Sequence, residues 1–333
     1  MKVDITRQSL ASTLLLFAAL CLVLWHRYAA APIEALPGTA IRMPLGDLLR
    51  SWGEALPGPV RNLTALGMLF IGGIWITRLI ARNMILLERT YMPAIIFLIV
   101  GCGSWYDPAA LDLFAATLLM IGSFDRTIGS FRREVVYTHI FNASLLLGIA
   151  LLTYAPAAVY IPLLPVALVL FRKRWREWIV ALAGLVLPTA ICSYVWWALG
   201  RPLTEVPVRL WEALCDAWYA PAFLVHWLNP LLLLLWTTIA ALTVWSLVIF
   251  VRQAHSMRTR PYKSYLYFIW ILFFSALPLI PPGRSVEDLM LLAIPLAVII
   301  PTCFNRREST WLGIAYLLLL VSMIAYNLFP VAL

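Results

Sequence analysis

Nine residues in the middle of the chain, Leu170-Phe-Arg-Lys-Arg-Trp-Arg-Glu-Trp178, carry four cations, one anion and two tryptophans. One apolar run ends at Phe171 and another extends from Trp178 to about Leu199. Arg172, Lys173, Arg174 and Arg176 resist transfer across a bilayer, so this loop reads as topogenic and is expected on the cytoplasmic side. The indoles of Trp175 and Trp178 suit the headgroup layer, which accommodates both an apolar ring and an N–H donor. With this loop fixed inside, every other loop can be assigned relative to it.

Water is the wrong solvent for such a chain. Of its 333 residues 63% are hydrophobic and 12% charged, with a mean hydropathy of +0.89. Soluble domains are nearer half apolar and one quarter charged. The formal charge of +9 does not indicate nucleic acid, because the cations lie in short loops between apolar runs. Anionic lipid headgroups are the expected neighbours. The five cysteines are scattered without a C-x-x-C pair, so neither a disulfide framework nor a metal site can be read from them.

Apolar runs lie near 9–25, 63–80, 91–106, 108–123, 139–155, 157–171, 178–199, 229–251, 264–281, 288–303 and 310–332. The expectation is an all-α polytopic bundle of about eleven spans (nine to eleven), forming one integral membrane domain over 1–333. The first run reads as a retained span, because it is longer than the apolar core of a signal peptide. The pairs 91–106/108–123 and 139–155/157–171 turn at Pro108 and Pro156. Each pair reads either as two spans or as a re-entrant hairpin shielded by protein. Alternation places the N-terminus in and the C-terminus out. The segments so assigned inside carry eighteen Lys and Arg against six Asp and Glu, and those outside carry seven against ten. Every alternate loop agrees with the positive-inside rule.

Two outer segments have helical periodicity of their own. In 45–56, Leu45, Leu48, Leu49, Trp52 and Leu56 repeat at helical spacing opposite Asp47, Arg50 and Glu54. Pro44 and Pro57 bracket what reads as a short interfacial helix, with Asp47–Arg50 and Arg50–Glu54 as expected pairs. In 206–219, Leu210, Trp211, Leu214 and Trp218 oppose Arg209, Glu212 and Asp216, with Arg209 as the expected partner of the acids.

Acids are the polar residues of most interest outside. Asp107 and Asp112 flank Pro108, Glu34, Asp47 and Glu54 share the first outer loop, and Glu287-Asp288 follow Arg284. Carboxylates at a membrane surface can act as general bases or hold a metal that binds a lipid phosphate. They also cap helix N-termini, and Asp107 and Glu287-Asp288 fit that reading. Asp112, one turn into its helix, does not. The four histidines are isolated, and Walker A, G-x-G-x-x-G, G-x-S-x-G and H-E-x-x-H patterns are all absent. No cofactor and no metal is expected. Ionisable residues are missing from the centres of the apolar runs, which argues against an ion-coupled carrier.

Asn142-Ala-Ser-Leu-Leu-Leu-Gly-Ile-Ala-Leu-Leu-Thr-Tyr154, then Arg-Trp-Arg-Glu-Trp178, Gly184…Pro188 and Arg284-Ser-Val-Glu-Asp-Leu together resemble a family of Bacteroidetes inner-membrane proteins of no assigned activity. That resemblance covers most of the chain. It implies the bacterial inner membrane and a role in cell-envelope biogenesis, with membrane lipids and other envelope proteins as partners. The Gly148–Phe171 hairpin and its basic loop are also similar in rhythm to type-C glycosyltransferases, which use polyprenyl-linked sugars. Those enzymes carry a catalytic acid in the first outer loop, often beside a short interfacial helix. Their adjacent Asp-Glu pair after the first span is absent here. This second resemblance implies a lipid-linked substrate at the outer face. Asp47, Glu54 and Asp112 are then the candidate catalytic acids, and Arg50 and Arg284 the candidate cations for its phosphate. A transporter is the third reading.

Overall fold

A computed structural model describes residues 10–30, 43–86, 90–103, 108, 110–132, 136–216, 230–257, 259–279, 288–304 and 310–328. Arg284, Glu34, Asp107 and the 217–219 end of the second amphipathic segment lie outside them. Among the described residues there is no strand, as expected where every backbone polar group in hydrocarbon must be satisfied within its own segment.

The first half of the chain forms a row of neighbouring helices. α1 (Leu10–Ala30) precedes α2 (Pro44–Ala55) and α3 (Gly58–Asn83), and α3 packs on α4 (Met92–Gly103) and α5 (Leu111–Gly129). Next, α5 packs on α6 (Tyr137–Thr153). After a 3₁₀ turn at Ala155–Tyr160 and α7 (Leu163–Leu170), α8 (Trp175–Ala198) returns against α6. Two of the segments quoted above meet in that contact. A Cβ added at Gly184 would overlap Ser144 Oγ, and one at Gly148 would stand 2.6 Å from the Leu185 carbonyl oxygen. Small residues draw the two backbones together, the usual route to helix association where hydrocarbon surrounds the protein.

The second half adds α9 (Glu205–Asp216), α10 (Pro230–Gln253), α11 (Thr259–Ala276), α12 (Leu289–Ile299), α13 (Pro301–Phe304) and α14 (Thr310–Leu328). α4 leaves the first row and packs along α12, joining the halves. Every residue of α12 is buried, as are Met92 to Gly101 of α4. A helix that is apolar all round belongs in a core. Tyr160, fully buried, ties the turn after α6 to both α11 and α12: its hydroxyl shares a 2.6 Å hydrogen bond with Ser275 Oγ and donates to the Leu291 carbonyl at 3.2 Å.

Among the described residues, four helices are long and apolar enough to cross a membrane: Gly58–Asn83, Trp175–Ala198, Pro230–Gln253 and Trp311–Leu328. Several of the other apolar runs form shorter helices. α4, with 12 residues, is about 18 Å long, against roughly 30 Å of hydrocarbon. α7 has 8 residues and continues a 3₁₀ turn.

Candidate functional site

At one end of the bundle, α2 and α9 lie against the start of α5, the end of α6 and the turn that follows. Pro44 occupies the first turn of α2, where its missing N–H costs nothing, and extended Met43 precedes it. Gly46 and Gly53 are buried, whereas Leu48 and Trp52 are 47% and 63% exposed. The backbone of α2 therefore faces the bundle and much of its apolar stripe faces outward, which suits a helix lying in an interface rather than in water. A Cβ on Gly46 would overlap the Thr153 carbonyl oxygen. Residue 46 sits one turn before Arg50, so this close approach sets Arg50 on the inward side.

Arg50 Nη1 stands 3.9 Å from Asp112 Oδ2, with the two side chains 16% and 8% exposed. Asp112 is in the first turn of α5, after Ala110 at the cap position. Asp47, 45% exposed, pairs through Oδ2 with Arg209 Nη1 of α9 at 3.8 Å. The described ion pairs of Asp47 and Arg50 thus lead to other helices. Within α9, Arg209 Nη2 also pairs with Glu205 Oε1 at 2.9 Å, one turn back. Glu54 is exposed near the end of α2 and joins no ion pair among the described residues.

The sequence reading missed three members of this end. Trp196, in the last turn of α8, is flanked by Arg201 at 4.5 Å and Arg209 at 4.8 Å from its ring centroid. Cation–π contact of this kind contributes about 0.5–1 kcal/mol at exposed positions. Arg201 reaches it because α8 closes on Gly200 at φ +87°, with Arg201 N–H donating to the Trp196 carbonyl at 3.0 Å. That left-handed closure is what Gly allows at a helix end. Leu199-Gly-Arg-Pro202 was the available signal. Arg201 also pairs with Glu205 at 3.3 Å.

Tyr154 and Asp288 form the deepest polar contact near this end. Tyr154 donates to Asp288 Oδ1 at 2.6 Å, with both residues buried. Asp288 does occupy the cap position of α12, but its side chain makes no capping bond there. Its carboxylate serves a tertiary contact 134 residues away in sequence. Periodicity cannot reveal a partner so distant.

At the opposite end lies the basic loop. Arg172 takes a left-handed φ of 52° and is exposed, as are Arg174 and Arg176. Lys173 turns inward and donates to the Ser130 carbonyl at 2.9 Å. Burial lowers its pKa from the ordinary lysine value, opposed by the Glu177 carboxylate. Arg82 pairs with Asp125, Arg260 reaches Asn83 Oδ1 at 3.4 Å, and Lys263 lies 5.5 Å from the Phe131 ring centroid.

Among the described residues no group of three or more His, Cys, Asp or Glu is placed to hold a metal ion. No family model, curated protein or solved structure matches the chain. The functional reading therefore rests on the chain's own geometry.

Proposed function

We propose that this chain is a multi-pass protein of the bacterial inner membrane, N-terminus in and C-terminus out, crossing it with about eleven segments. We further propose that it serves cell-envelope biogenesis by engaging an anionic, lipid-borne headgroup at the outer face, on the platform made by α2 and α9. One observation carries this reading. Two arginines, Arg50 and Arg209, are held between helices at the rim of the bundle, beside the exposed Leu48 and Trp52 of α2. A lipid lying along that apolar edge would bring its phosphate to guanidinium groups suited to bidentate contact. Arg209 is 30% exposed, so an incoming phosphate can compete for it with Asp47.

A second reading, a transferase acting on a polyprenyl-phosphate-linked sugar, is favoured by Asp47. Its half-exposed carboxylate lies 3.8 Å from Arg209, so it could take a proton from an acceptor while the cation holds the phosphate. Asp112 suits that role less well, because its carboxylate is 8% exposed and faces Arg50.

Complementation of a knockout, with analysis of envelope glycans and lipids, tests both. Arg209→Gln is expected to impair complementation while the protein remains inserted, and full complementation by it overturns the headgroup proposal. Asp47→Asn divides the readings: lost transfer with retained lipid binding supports the enzyme, and full activity excludes Asp47 as its acid.

A further inference from the structure

A groove of about 620 Å³ lies between α10 and α14, with no residue of α2 or α9 in its lining. Its walls are apolar, with Leu242, Trp245, Ile249 and Leu312 among them, and Arg252 and Gln253 line one end. From Thr238 to Arg252 is fourteen residues of α10, about 21 Å along the helix axis. Trp245 and Trp311 are 54% and 79% exposed, so the groove opens toward the surroundings of the bundle.

The charge around its polar end is one-sided. α10, α13 and α14 all reach this end, since Arg252, Cys303 and Trp311 line the same groove. Arg252 is the charged residue in the lining, and no Asp or Glu lines the groove with it. A pocket of this size suits a ligand that is mostly hydrocarbon with a few polar contacts, and a cation at a membrane surface attracts anionic headgroups.

We infer that the α10–α14 groove is a binding site for one anionic phospholipid from the leaflet on the basic-loop side. A hydrocarbon chain would lie along Leu242, Trp245, Ile249 and Leu312, and the phosphate would rest on Arg252. This site is independent of the platform proposed above. The tryptophans flank the chain, and Ala241 and Ala315 leave room for it.

Native mass spectrometry of the full chain, released from micelles containing phosphatidylglycerol or phosphatidylcholine, tests the inference. Wild type is expected to retain one phosphatidylglycerol about fivefold better than phosphatidylcholine, the effect of one basic side chain at a membrane surface. Arg252→Gln should abolish that preference. Ala241→Trp, at an exposed lining position, should displace both lipids by filling the groove. Equal retention of the two lipids by wild type overturns the inference without need of any variant. Unchanged retention by folded Ala241→Trp overturns the location. Stronger retention of a polyprenyl phosphate than of phosphatidylglycerol overturns the assigned lipid class.

Discussion

Where α2 and α9 close the bundle, cations meet carboxylates carried on other helices: Arg50 with Asp112, and Arg209 with Asp47. At the basic-loop end, Arg82 and Asp125 form one such pair, while Lys173, Arg260 and Lys263 settle on a carbonyl, an amide oxygen and an aromatic face. Acids and bases in comparable number can neutralise one another between elements. An excess of cations has to use neutral acceptors, π faces or solvent. The first end is thus the one where charge organises tertiary structure. At the second, the excess of cations is what the positive-inside rule expects of loops held on one side.

Topology is the all-or-none test of that comparison. In a cysteine-free background, a cysteine at position 175 should react with a membrane-impermeant reagent only when the cytoplasmic face is opened. A cysteine at position 54 should react from outside in intact cells. Labelling of both positions from one side would break the distinction between the ends, because all other loops are assigned relative to the 172–176 cations.

Smaller, but still readable, is the difference between the two ion pairs. Asp112→Ala leaves Arg50, 16% exposed, without its carboxylate, and should lose about 3 kcal/mol, as when one partner of a buried pair is removed. Asp125→Ala leaves Arg82, 43% exposed and open to solvent, and should lose under about 1 kcal/mol, as for surface pairs. Thermal unfolding in a mild detergent measures both. The double change Arg50→Met with Asp112→Leu should recover most of the first loss, because no buried charge is then left uncompensated. Equal losses for Asp112→Ala and Asp125→Ala would erase the contrast.

How much of this was legible depends on what solvent hides. The all-helical class followed from hydropathy, and α2 lies within one residue of the expected 45–56. Hydropathy could not separate α8 from α12. Both are apolar throughout, yet Ile179, Leu182 and Val186 of α8 are at least half exposed, whereas every residue of α12 is buried. Lipid tails are as apolar as leucine, so protein-facing and lipid-facing helices carry the same composition. Arg50 and Asp112 were singled out one at a time. Their pairing needed the approach of Gly46 to Thr153, which is a fact about backbones in space. Asp288 does hold the cap position expected of it, but its bond to Tyr154, 134 residues earlier, was hidden for the same reason.

The smallest expected effect lies within the basic loop itself, where one of four cations differs from the rest. Arg172, Arg174 and Arg176 are exposed. Replacing any one by Gln should change folded stability by less than about 0.5 kcal/mol, although replacing all of them together with Lys173 should lower correct insertion. Lys173 donates to the Ser130 carbonyl at the end of α5, so Lys173→Gln should lose about 1 kcal/mol. The pH dependence separates this structural role from a purely topogenic one. Burial holds the Lys173 pKa below its ordinary value of 10.5, so the folded chain binds fewer protons than the unfolded chain between the folded and ordinary pKa values. Stability must then rise with pH across that window. Below it the cost of burying the charge is constant, and above it that cost is gone. Unfolding midpoints of wild type and Lys173→Gln should therefore diverge as pH climbs toward 10.5, with wild type gaining. Parallel curves would mean that Lys173 is as solvated as its three neighbours, and that the 171–174 turn is held by its backbone alone.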